Sequence, residues 1–266
     1  MRSNHTLPTA AVFLLVWLGA TSVWAADPLV AKKAGQARTP TPMVRRGLIL
    51  PSRMIDVYTQ PFVERPVGSD VLRAAPSFGA LWGVSPEWHA DFQLTPFYLP
   101  NHTAGPGRLA ITHRLIKTTP FDLGVAFTAA FDPTTPNFIG YIQPGIATIY
   151  RTKGPVRIDS GVQVPLYTSP DAHWGVRVPV SVYFQITDRV HCGSTGALVI
   201  SDLRETQSTT SFPLGLTVGY SAGPELDFAA FTPYITWTNF YVPATGIFDT
   251  KSFVAGIIAD VAFEVP

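Results

Sequence analysis

The chain has 266 residues, 46% of them apolar and 14% charged, with 19 basic and 18 acidic side chains for a formal net charge of +1. So even and sparse a charge leaves no electrostatic footprint for nucleic acid. A single cysteine, Cys192, excludes an intrachain disulfide, and beyond one segment near the start no apolar run approaches the roughly 20 residues of a membrane-crossing helix.

That segment spans residues 10–24, follows Arg2 and His5, and ends Val23-Trp24-Ala25. A short basic stretch, an apolar core and a small residue at the cut predict a cleaved signal peptide over 1–25, with a membrane anchor as the alternative. No cysteine follows the apolar core to take a lipid. Residues 26–46 mix Lys32, Lys33, Arg38, Arg45 and Arg46 with Pro, Thr and Gly and show no periodicity, so they read as a flexible tail.

From Gly47 onward about twelve segments alternate with period two, the signature of strands. The clearest is Val176–Ile186. Val176, Val178, Val180, Val182, Phe184 and Ile186 fall on one side, and Arg177, Pro179, Ser181, Tyr183 and Gln185 on the other. Its length suits a tilted strand crossing a bilayer, where about 9–11 residues suffice. Charged and amide groups on an inner face are wrong for a soluble sandwich, whose inner faces are dry. They are expected in a membrane barrel, with apolar residues toward lipid and polar ones toward the lumen. Segments 121–131, 156–166 and 253–264 repeat the pattern.

Tight connections at Ser85-Pro86-Glu87, Thr118-Thr119-Pro120, Lys153-Gly154-Pro155, Thr187-Asp188-Arg189 and Ala222-Gly223-Pro224 alternate with longer ones. The prediction is an all-β fold: one antiparallel up-and-down transmembrane β-barrel of about twelve strands over 47–266, with the 26–46 tail on the short-turn, periplasmic side. Proline removes a ladder hydrogen bond. Pro76, Pro96, Pro144, Pro165, Pro179, Pro213 and Pro233 share a distance from the tight turns that corresponds to roughly 25 Å, the outer rim of the apolar band. Trp82, Trp88, Phe121, Tyr150 and Phe184 suit an inner aromatic girdle, and Phe97, Tyr98 and Tyr167 an outer one.

The leader, the alternating turns and loops, the opening Gly47-Leu48-Ile49-Leu50-Pro51 and the final amphipathic strand resemble small, uncharacterised outer-membrane β-barrel proteins of Gram-negative bacteria. The resemblance implies residence in the outer-membrane bilayer and delivery by the barrel-insertion machinery. Phe263 followed by Glu-Val-Pro departs from the terminal aromatic that such machinery reads.

Inward positions near the tight turns collect charge: Asp91, Arg114, Asp122, Arg151, Arg157, Asp159, Asp227 and Asp260. Buried charges need partners, so these form either a salt-bridge network or a constriction that selects solutes. His89, Gln93, Gln163, Arg177 and Gln185 are further lumen-facing residues. Small inward residues higher up, such as Thr128, Ala130 and Gly145, leave room for an open outer half. For catalysis, His89 with Asp91 and Glu87 are the only candidates, because His191 and Ser194 have opposite strand parity. Two ligands are too few for a metal site, so neither a metal nor another cofactor is expected. A passive channel or small-solute transporter with a charged periplasmic constriction is therefore the first expectation. A sealed barrel with a structural or surface-interaction role is the second, and a soluble exported all-β binding protein the third.

Overall fold

A computed structural model describes residues 43–135, 138–168, 171–221 and 228–264. The signal-peptide segment, Asp227 and the turn at 222–224 lie outside them. Twelve antiparallel strands, each paired with its sequence neighbours, form the wall. They are β1 (Met54–Thr59, resuming as Phe62–Arg65), β2 (Arg73–Ala75, resuming as Phe78–Gly83), β3 (Trp88–Leu94) and β4 (Gly107–Lys117). Then come β5 (Phe121–Phe131), β6 (Ile139–Arg151), β7 (Val156–Gln163, resuming as Leu166–Tyr167) and β8 (His173–Trp174, resuming as Val176–Gln185). β9 (Val190–Ile200), β10 (Thr210–Ser221), β11 (Phe228–Tyr241) and β12 (Phe253–Glu264) complete it. The sheet closes on itself. Met54 to Thr59 pair with Glu264 to Ala259, and Phe62 to Arg65 with Gly256 to Phe253. Closure leaves no open edge, which a bilayer demands.

The two faces are inverted relative to a soluble protein. Outside stand Val57, Phe92, Ile111, Phe127, Ile146, Val180, Leu216 and Ile257, all exposed. Inside, His89, Asp91, Gln93, Arg108, Thr112, Asp122, Arg157, Asp159 and Arg177 are buried. Burial of charge beneath a coat of exposed apolar side chains is the pattern of a barrel solvated by lipid, and among the described residues the valines of β8 meet no second sheet.

Tight hydrogen-bonded turns join the strands at one end: Thr118 N–H donates to Phe121 O at 2.8 Å and Thr152 N–H to Val156 O at 3.0 Å. At the other end some proline positions mark breaks in the ladder, whereas Pro144, Pro179 and Pro233 lie within unbroken strands opposite Phe127, Ala197 and Ile257. β2 is interrupted at Pro76, β7 at Pro165, and β1 at Pro61. Proline carbonyls still accept: Val164 N–H donates to Pro144 O (2.9 Å), Gly175 N–H to Pro165 O (2.8 Å) and Ile257 N–H to Pro61 O (3.2 Å). At Pro213 the β10–β11 register shifts between Phe212 and Leu214.

Of the expected inner girdle, Trp82, Trp88, Tyr150 and Phe184 are exposed, with Trp88 stacked on His113 at 4.2 Å, while Phe121 is half-buried. The outer one differs. Phe97 is exposed, but Tyr98 and Tyr167 are buried inside. The aromatic cluster on the outer side instead comprises Phe212, Trp237, Phe240, Tyr241 and Phe248, with ring centroids 5.0–6.1 Å apart.

Residues 43–50 correct the expected boundary between tail and barrel. They are not in the wall. Met43–Arg45 make one turn of 3-10 helix, the wall begins at Met54, and Met43, Val44, Arg46, Leu48, Ile49 and Leu50 are buried inside the cylinder.

Candidate functional site

The lumen at the tight-turn end is occupied by this strap, which runs along the inner circumference strand by strand. Leu50 N–H donates to His89 Nδ1 on β3 (3.3 Å) and Leu48 N–H to Asp122 Oδ2 on β5 (3.0 Å). The Arg46 carbonyl accepts Arg151 Nε of β6 (2.8 Å) and Arg157 Nη1 of β7 (3.2 Å). Arg157 Nη1 also reaches Met43 O at 3.2 Å, and Val44 N–H donates to Gln185 Oε1 of β8 at 3.3 Å. A strap without a ladder of its own must place its backbone polar groups somewhere. Inward side chains of β3 to β8 take them.

The charges that hold the strap are themselves paired. Arg157 binds both oxygens of Asp159, at 2.6 and 2.7 Å, and Arg151 Nη2 lies 2.8 Å from Asp122 Oδ2. Glycine makes the fit possible at Gly124, where a Cβ would stand 2.5 Å from Leu48 Cδ2.

A second group sits farther from the turns. Asp91 is ion-paired with Arg108, and Tyr58 Oη donates to Asp91 Oδ1 at 3.1 Å. Gln93 Nε2 reaches Gln60 Oε1 and Ser77 Oγ, both at 3.0 Å, and Gln60 Nε2 donates to Tyr234 Oη at 2.7 Å. Tyr141 and Tyr167 fill the space beyond, their rings 5.9 Å apart. The β3–β8 side of the outer half is therefore packed, against the openness that its small residues suggest.

The opposite side is different. A cavity of about 90 Å³ is bounded by β8 to β12 and by Met43 and Arg46 of the strap. Its lining mixes hydroxyls (Ser181, Thr195, Thr217, Thr232, Thr236), rings (Tyr183, Tyr234, His191) and charges (Arg46, Arg177, Asp260).

Of the eight charged positions expected at the narrow end, Asp122, Arg151, Arg157 and Asp159 meet around the strap. Asp91 belongs to the second group, and Asp260 faces the cavity. Arg114 joins neither. The β4–β5 register shifts just beyond it, and its guanidinium donates to the Pro86 carbonyl in an exposed turn. His89, Gln93, Gln163 and Arg177 are buried inside, and Gln185 is half-buried. His89 and Asp91 do not act on each other, since His89 Nδ1 takes the Leu50 amide and Asp91 takes Arg108 and Tyr58. Glu87 lies at the exposed turn with Ser85.

Sequence reasoning missed Arg46, Asp56, Tyr58 and Arg108. Arg108 shares the parity of Arg114 and was open to the same reading. Arg46 carries no periodic signal, although the consecutive burial of Leu48, Ile49 and Leu50 has one. Three adjacent apolar residues do not fit a wall with one polar face.

No family model matches the chain, and no curated protein does. Among solved structures, the barrel is similar to KdgM porin, at 6% identity and a TM-score of 0.53, covering 79% of this chain and 99% of that one. It is similar to NanC porin at 9% identity and 0.53, over 80% and 99%. It is also similar to an outer-membrane channel from Pseudomonas putida F1, at 8% identity and 0.51, over 88% and 100%. The likeness is one of fold, a closed antiparallel β-barrel.

Proposed function

We propose that this protein is a passive channel for small hydrophilic solutes in a bacterial outer membrane, its path running between the strap and the β8–β12 wall. The observation that carries this reading is the cavity beside the strap, lined by hydroxyls and charges within a cylinder coated by aliphatic side chains. Water and small polar solutes find hydrogen-bond partners at every level of such a path, while the apolar exterior seats the barrel in lipid. The strap and its salt bridges narrow the periplasmic end, so the constriction is built from backbone as much as from charged side chains. Barrels of the same fold described as porins and as an outer-membrane channel support both the location and the role.

The packed β3–β8 half and the strap favour a second reading, a sealed barrel with a structural role. Conductance of folded protein in planar bilayers separates the two. Discrete single-channel steps are expected. A folded, bilayer-inserted protein passing no ions would leave the sealed barrel.

A further inference from the structure

Arg46 touches opposite parts of the barrel with its two ends. Its carbonyl is fastened to Arg151 and Arg157 on β6 and β7. Its side chain extends to β10, where Nη2 lies 3.4 Å from Ser221 Oγ. It lines the cavity together with Asp260. The guanidinium also interacts electrostatically with Asp56, and Asp56 with Asp260. Asp56 and Asp260 stand on adjacent strands, since Tyr58 pairs with Asp260 across the β1–β12 seam. The cavity lining thus holds Asp260 of the wall and a cation delivered by the strap, with Asp56 buried on the strand beside Asp260.

We propose that Arg46 is a selectivity-determining residue, a tethered counter-cation that cancels the Asp56–Asp260 field and keeps the path from favouring cations. The inference rests on the channel reading above. Fixed charge beside a narrow path selects ions of opposite sign. With Arg46 present, the two carboxylates are offset by Arg46 and, farther along the wall, Arg177. Without it the cavity lining loses one of its two arginines while its acidic side remains, and small cations gain.

The test is the reversal potential of single channels of the full chain under a potassium chloride gradient. Arg46→Gln raises the potassium-to-chloride permeability ratio by about twofold or more, the change that a unit charge near the path produces even at the dielectric of water. Asp260→Asn moves the ratio the opposite way. If Arg46→Gln does not fold, judged by heat-modifiable migration in gels, Asp260→Asn carries the test alone. Conducting variants with wild-type ratios would overturn the role of Arg46 and leave the channel standing. Folded wild-type protein without conductance would overturn both.

Discussion

The backbone N–H of Leu48 donates to Asp122 Oδ2 at 3.0 Å, and the same oxygen lies 2.8 Å from Arg151 Nη2. One carboxylate on the wall thereby holds the strap twice: directly through Leu48, and through Arg151, whose Nε grips the Arg46 carbonyl at 2.8 Å. The tight-turn end of the lumen is thus a joint between wall and strap.

Asp122→Ala removes both attachments and strands the Arg151 guanidinium. Breaking such a buried pair costs about 3–5 kcal/mol, and the partial exposure of Arg151, at 12%, places this one toward the lower end. Asp122→Asn keeps an oxygen for the Leu48 amide and loses less. Urea unfolding in detergent should rank wild type above Asn above Ala, and single-channel conductance should rise in the reverse order. Equal unfolding midpoints would show that the strap does not lean on this residue.

Gly124 is the other half of the seat. A Cβ there would stand 2.5 Å from Leu48 Cδ2 and 2.7 Å from the His113 carbonyl. Gly124→Ala should therefore destabilise by about 1–3 kcal/mol through overpacking. Adding Leu48→Ala relieves only the side-chain clash, so the double variant recovers part of the loss. A double variant as unstable as the sum of the two singles would separate Leu48 from Gly124.

How much of this was legible follows from the period of two. On β8, alternation alone assigns Val180 to the outside and Arg177 and Tyr183 to the inside, and the structure agrees. It holds for His89, Gln93 and Gln163 as well. It fails where the ladder is irregular. Beyond Pro96 the chain re-enters a separate short hairpin with Phe97 outside and Tyr98 inside, because the break shifts parity by one. Arg114 keeps its inward parity, paired with Gly124, but it stands at the tight-turn end, where its guanidinium donates to the Pro86 carbonyl in an exposed turn. Tyr167 was misplaced for a different reason. Its height suited a girdle, but its parity matched Arg157 and Asp159, and parity prevailed. The strap was the least legible part, since alternation describes walls and says nothing about chain lying inside them.

The pair of Asp91 and Arg108 tests whether lumen charges support folding by themselves. Both side chains are nearly inaccessible, at 1% and 5% exposure. Asp91→Leu alone leaves a buried guanidinium and removes the acceptor of Tyr58, which should cost about 3–5 kcal/mol. Arg108→Met combined with Asp91→Leu removes both charges and should recover most of that loss. Unfolding midpoints of the two variants measure the difference. A double variant no better than the single would mean that these side chains act through other partners.

The inverted faces predict opposite consequences for one substitution at two places. Val180 is 41% exposed near the middle of β8, and it is paired with Gly196, the immediate neighbour of Thr195 in the cavity wall. Val180→Arg puts a charge against acyl chains near the bilayer centre, at a cost of about 2–4 kcal/mol. Thr195→Arg places the same group in the cavity, where water and Asp260 can receive it, so stability changes little while the path loses volume. Folding yield into liposomes should fall for Val180→Arg alone, and unitary conductance should fall for Thr195→Arg alone. A Val180→Arg protein that inserts as readily as wild type would contradict a lipid-facing β8, because water around that strand is the one setting in which an exposed arginine costs nothing.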